Sequence, residues 1–190
     1  MLVGNPSVIA IETHIEQPYE KLSQRALGFF VIHIGGQIYG IRSSDATLLA
    51  NSFDSVSRRI VRRGLHCFAP NAEANAFRIV DAVCAALYDD TRQGESFFSV
   101  SAEQIRKSLN SNEVIWAPDG DAAFDDGSHV LQFDINNKVR LIAFKNSVNS
   151  IEMLNTVSEA WIDSDEFYAL LDEWKIKFEE EWLKALKMRM

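Results

Sequence analysis

Asp119, Asp121, Asp125 and Asp126 fall within eight residues of the run WAPDGDAAFDDGSHVLQF, from Trp116 to Phe133, which contains no Lys or Arg. A turn needs one or two Asp or Gly residues for its backbone geometry. Four carboxylates that repel one another therefore point to a partner: a metal ion, a substrate that a carboxylate activates, or a cationic protein surface. A calcium loop of the EF-hand type needs oxygen ligands at positions one, three and five and Gly at six. Counted from Asp119, position five is Ala123 and position six is Phe124, so that spacing fails and only a looser calcium or magnesium site is left. Acid/base work by paired carboxylates needs environments that separate their proton affinities, and a loop that reads as solvated supplies none. Protein recognition fits better: charge speeds encounter and sets specificity, while interleaved aromatics such as Trp116 and Phe124 anchor. The competing reading sends both aromatics into the core, Trp116 more readily than Phe124.

Other chemistry is poorly provided for. His14, His33, His66, Cys67 and His129 form no CxxC or HxxxH pair of the kind zinc uses. There is no GxSxG, GxGxxG or phosphate-binding glycine loop. His33, inside FFVIHIGG, reads as a packed strand histidine. Arg58, Arg59, Arg62 and Arg63 are the one basic cluster. Lacking aromatic platforms and set in an acidic chain, they read as a helix C-terminus that pairs with the acidic second half, not as a nucleic-acid site.

The elements that must position these residues follow from periodicity. Ser7–His14, Leu27–Ile34, Gln37–Arg42, Glu113–Pro118, His129–Ile135, Lys138–Phe144 and Val157–Ile162 read as strands. Gly35-Gly36 and Asn136-Asn137 mark two tight hairpins, whose central residues need positive φ. Helices are expected over 45–63 with Ser44 as cap, 74–88, 101–109 and 165–186 with Ser164 as cap. The last carries one apolar stripe through Phe167, Leu170, Leu171, Trp174, Phe178 and Trp182. The polar link 16–25 has room for a helical turn or two. The class is α+β: an antiparallel sheet built from the two hairpins, packed on one side by three to four helices including the long C-terminal one.

A chain of 190 residues, 47% hydrophobic and 24% charged, is an ordinary globular composition and reads as a single domain over 1–190. Without a signal-peptide pattern or an apolar run long enough for a bilayer, the expected compartment is the cytoplasm, with Cys67 and Cys84 as free thiols. The net charge of −8 is uneven. Residues 1–64 carry seven Lys/Arg against five Asp/Glu (+2), and residues 65–190 twelve against twenty-two (−10). An acidic surface repels nucleic acid and anionic lipid, so neither is an expected partner.

Four phrases carry a family resemblance: MLVGNPSVIAIE at the start, RALGFFVIHIGGQIYGIR from Arg25, SDATLLANSFDSVSRRI from Ser44 and WAPDGDAAFDDGSHVLQFD from Trp116. Together they resemble immunity protein family forty-two of bacterial polymorphic toxin systems, over most of the chain except about 70–111. The resemblance implies an α+β fold, no enzymatic activity and no cofactor. It also implies one partner, the C-terminal toxin domain of a large secreted protein in a contact-dependent inhibition system. Asp119, Asp121, Phe124, Asp125 and Asp126 are then expected on the toxin-binding face, with Asp163, Asp165 and Glu166 as a second patch. The alternative is a metal-assisted hydrolase using residues 119–126.

Overall fold

The computed structural model describes residues 1–67, 74–117, 121–147 and 150–188. A first antiparallel sheet holds β1 (Leu2–Asn5), β2 (Ile9–Pro18), β3 (Ala26–Ile34) and β4 (Gln37–Tyr39) in that order. The two-residue β5 (Thr47–Leu48) also pairs with β3. Then come α1 (Leu49–Val61), α2 (Ala76–Tyr88), the short hairpin β6 (Ser96–Phe97) and β7 (Val100–Ser101), and α3 (Ala102–Ser111). A second antiparallel sheet, ordered β11-β10-β9-β8, is made of β8 (Ile115–Ala117), β9 (Ser128–Ile135), β10 (Lys138–Lys145) and β11 (Ser158–Asp163). The short α4 (Ser150–Asn155) lies between β10 and β11, and α5 (Ser164–Lys187) is the long last helix.

The α+β class and the long last helix match the reading of the sequence. Gly35 and Gly36 have φ of 58° and 84°, as a two-residue turn that follows the strand twist requires. In the second turn only Asn136 takes a positive φ, 54°. The two hairpins do not join one sheet, however; each is the centre of its own. The reason lies in β9, whose first six residues, SHVLQF, are all buried. A hairpin covered on one side would alternate.

Both faces of the second sheet are covered, so helices do not pack on one side alone. Val130, Val139, Leu141 and Ala143 enter a first core with Ile9 and Ile11 of β2, Phe30, Ile32 and Ile34 of β3, and the stripes of α1 and α5. Leu131, Phe133, Ile142 and Phe144 enter a second core with α2 and α3.

Helix ends differ from expectation by local chemistry. α1 has no side-chain cap, because it continues directly from β5, which already holds Leu48 extended. Asp163, not Ser164, caps α5: its Oδ1 accepts from the Asp165 backbone N–H at 2.8 Å. Where a helical turn had room in the 16–25 link, β2 runs on to Pro18, pairing with Ala26 after a bulge between Ile15 and Gln17. Cys67 and Cys84 are free thiols. Among the described residues no helix is long and apolar enough to cross a membrane.

Candidate functional site

The acidic loop is fastened to both sheets. Asp121 caps a single 3-10 turn, Ala122–Phe124, accepting from Ala123 N–H at 2.9 Å. The carbonyl of Ala123 accepts from Ile41 N–H at 2.8 Å, and Gly40 N–H donates to Ser128 Oγ at 3.0 Å. Gly40 has φ of 109°, and a Cβ there would meet the Ala123 carbonyl oxygen at 2.9 Å and the Phe124 ring at 3.2 Å. Only glycine suits that position.

Phe124 corrects the expectation of a recognition anchor. It is 3% exposed and sits edge-on to Phe30 with centroids 6.2 Å apart, so a partner cannot reach it. The ring pins the loop to β3. Trp116 is also buried, edge-on to Phe167 of α5 at 6.0 Å.

Two of the four aspartates have local work that the sequence concealed. Asp121 is the cap just described. Asp126 pairs with Lys145 Nζ at 2.6 Å and accepts from Ser128 N–H at 3.1 Å. Burial pushes its carboxyl up, but Lys145 and Ser128 outweigh that and hold it below its ordinary value. A depressed carboxyl adds stability above its unfolded-state pKa of about 4, and loses it as the pH falls through the lower folded value. Asp126→Asn should therefore lower stability at pH 7 but much less at pH 3, as urea melts at the two values would read. An equal loss at both would remove the charge pair as the cause. Asp125 is exposed, and Asp119 lies outside the described residues.

Beside the loop runs a groove of about 420 Å³ between α1 and β8, lined by Asp54, Arg58, Arg59, Glu113, Trp116 and Asp121 among others. Its lining carries three carboxylates against two guanidiniums. Arg58 is exposed and has no ion pair among the described residues. Arg59 is 3% exposed. It donates to the carbonyls of Glu113 (3.2 Å) and Ile115 (2.8 Å) and to Gln132 Oε1 (3.1 Å), with its guanidinium 5.1 Å from the Trp116 ring centroid. Burial pushes its guanidinium down to about 9, so it keeps its charge at neutral pH.

Gln132 passes the network on to the Tyr168 hydroxyl (2.9 Å), which donates to Asp134 at 2.9 Å. Asp134 also accepts from Gly64 N–H at 2.7 Å. His66 is fully buried, its Nδ1–H shared between the Asn112 and Glu113 carbonyls at 3.2 and 3.1 Å. Burial, and then the nearby charge of Arg59, pushes the ring below its ordinary value. This buried polar chain ties the end of α1 to β8, β9 and α5. The arginines do form a helix-end set, Arg58 and Arg59 in the last turn of α1 and Arg62 and Arg63 just past it; Arg62 and Arg63 pair with acids of the second half as expected, whereas Arg59 turns inward. Its spacing, three residues after Val56 and seven after Ser52, places it on the buried face.

The second patch is at the start of α5. Just past α1, Arg62 is 3.7 Å from Glu113 and Arg63 is bonded to Asp165. Asp163 is spent on the α5 cap, while Asp165 and Glu166 are exposed. Among the described residues no group of three His, Cys, Asp or Glu is placed to hold a metal ion.

The model of the family described as Immunity protein 42 matches residues 1–177. The chain belongs to that family. The match includes the stretch around 70–111 that the four phrases leave out. Immunity proteins are toxin inhibitors, not enzymes, which sets aside the hydrolase alternative at 119–126. The crystal structure of CdiI from Burkholderia dolosa AUO158 shares the fold, with a TM-score of 0.55 at 22% identity, over 93% of this chain and 99% of that one. No significant match is found among curated proteins. In this Immunity protein 42 member the groove is rimmed by carboxylates and floored by Arg59, which its three acceptors hold in place.

Proposed function

We infer that this chain, as one domain over 1–190, binds and neutralises a cognate toxin domain in the cytoplasm and so protects its cell from contact-dependent inhibition. The toxin domain is the C-terminal part of a large secreted protein, and its activity is that of a nuclease. The observation that carries this reading is the gathering of Asp54, Glu113 and Asp121 on one groove, with Asp125 of the loop and Asp165 and Glu166 of the first turn of α5 also exposed. A nuclease must present a cationic surface to its substrate. An acidic inhibitor matches that surface, speeds encounter and keeps nucleic acid out. The family match supports the inhibitory role, and the fold shared with CdiI supports the contact-dependent setting.

The test leaves Asp126 in place, because its loss would break the Lys145 pair. Asp121→Asn keeps the capping oxygen and removes the charge, and Asp125→Lys reverses an exposed one. The double variant should bind the toxin domain encoded by the adjoining gene about tenfold more weakly, chiefly through a slower association rate that converges on wild type at high salt. Unchanged affinity would exclude this face.

A further inference from the structure

The outer face of α5 carries a pattern that neither the core nor the acidic groove uses. Its buried stripe is Phe167, Leu170, Leu171, Trp174, Phe178 and Trp182. Opposite it, at seven-residue steps, stand Ala169, Ile176 and Leu183. Ile176 is 57% and Leu183 49% exposed. Seven residues are two turns, so the three form one ridge about 20 Å long. Asp172 and Glu179 lie along one side of it, Glu173 and Glu180 along the other. A shallow hollow on this face is lined by Ala169, Asp172, Glu173, Ile176, Lys177 and Glu180.

Helical stability does not require this arrangement. A solvated face of an amphipathic helix is polar, and an exposed isoleucine gains nothing there. Lys177 pairs with Glu173 at 2.6 Å, and Arg25 comes within 3.9 Å of Glu179. Asp172 and Glu180 are exposed and have no ion pair among the described residues. An apolar ridge between two acidic rows fits one kind of occupant: a segment with apolar residues along its middle and Lys or Arg on both sides. A second copy of this chain fits badly. A two-fold contact would place the ridge on itself and set the same carboxylates against each other.

We propose that the outer face of α5 is a second docking surface for the toxin, receiving a cationic amphipathic segment along Ala169, Ile176 and Leu183. The proposal rests on the toxin-binding reading and adds a second surface to the groove. The groove supplies charge; the ridge supplies the apolar contact that the groove lacks once Phe124 is withdrawn into the core.

The experiment is calorimetric titration of the toxin domain encoded by the adjoining gene into three proteins: wild type, Ile176→Ser with Leu183→Ser, and Asp172→Lys with Glu180→Lys. All four positions are exposed, so thermal melting should stay within a few degrees of wild type. Both variants should bind about tenfold more weakly. Ridge variants within twofold of wild type, beside a weakened Asp121→Asn/Asp125→Lys protein, would overturn the ridge and leave the toxin-binding reading standing. No binding by wild type would overturn both. A wild-type dimer in sedimentation that the serine variant dissociates would assign the ridge to a second copy and overturn the proposal.

Discussion

Trp174→Ala should remove about 3 to 5 kcal/mol of stability, the range for truncating a buried tryptophan. Trp174 is fully buried on α5. Its indole is edge-on to Phe30 at 5.2 Å and stacked on Phe178 at 5.3 Å, and its Nε1–H donates to Thr13 Oγ1 at 2.8 Å. One side chain thus joins β2, β3 and α5, and its loss leaves a cavity and an orphaned hydroxyl. Domains of this kind have about 5 to 15 kcal/mol in all, so the variant should melt about 10 °C lower or more. Trp174→Phe keeps a ring and loses the hydrogen bond, and should recover roughly half. Urea unfolding followed by far-ultraviolet circular dichroism reads both; a loss under about 1 kcal/mol for the alanine variant would contradict this packing. The consequence for function is indirect. Both proposed toxin surfaces include α5, and the helix is held in place mainly by this stripe.

Arg59→Ala should cost about 3 kcal/mol or more, because it strips donors from three acceptors at once and each buried unpaired group costs about 1 to 3 kcal/mol. The acceptors are the Glu113 and Ile115 carbonyls and Gln132 Oε1. Ile115 opens β8, the strand that leads into the acidic loop, and Glu113 lies two residues before it. Arg59→Lys should recover only part, since an ammonium cannot span three acceptors with the planar fork of a guanidinium. Arg59→Met should also stay well below wild type, because it fills space but donates nothing. The amides of β8 should lose hydrogen-exchange protection in the alanine and methionine variants more than those of β2. Equal protection in all variants would show that Arg59 does not hold the strand.

Much of the framework was legible in the sequence because it depends on near neighbours. The Gly35-Gly36 turn needs two positive φ angles, and only its own residues supply them. The stripe from Phe167 to Trp182 is a spacing rule within one helix, and all six residues are buried. The site was harder to read. Asp121, Asp126 and Asp163 looked like surplus charge, yet each has a backbone N–H or a lysine to hold. Lys145 is nineteen residues from Asp126, and the strand register that joins them leaves no trace around the loop. Ser44 and Ser164 looked like caps because the signal is local, but a paired strand and a neighbouring Asp took those places.

The sequence by itself determined the α+β class, the two hairpins, the long last helix, the acidic second half and the family. The family rests on the resemblance of four long phrases; the rest follows from periodicity, turn chemistry and composition, which act over a few residues or over the whole chain. Only the tertiary structure decided that the hairpins build separate sheets, that Phe124 turns inward, that Arg59 is buried beneath the groove, and that Ile176 and Leu183 stay uncovered. Each of those depends on which distant surfaces meet. Apolar burial is non-directional, so a residue's pattern announces that it can be buried, and the assembled neighbours settle whether it is.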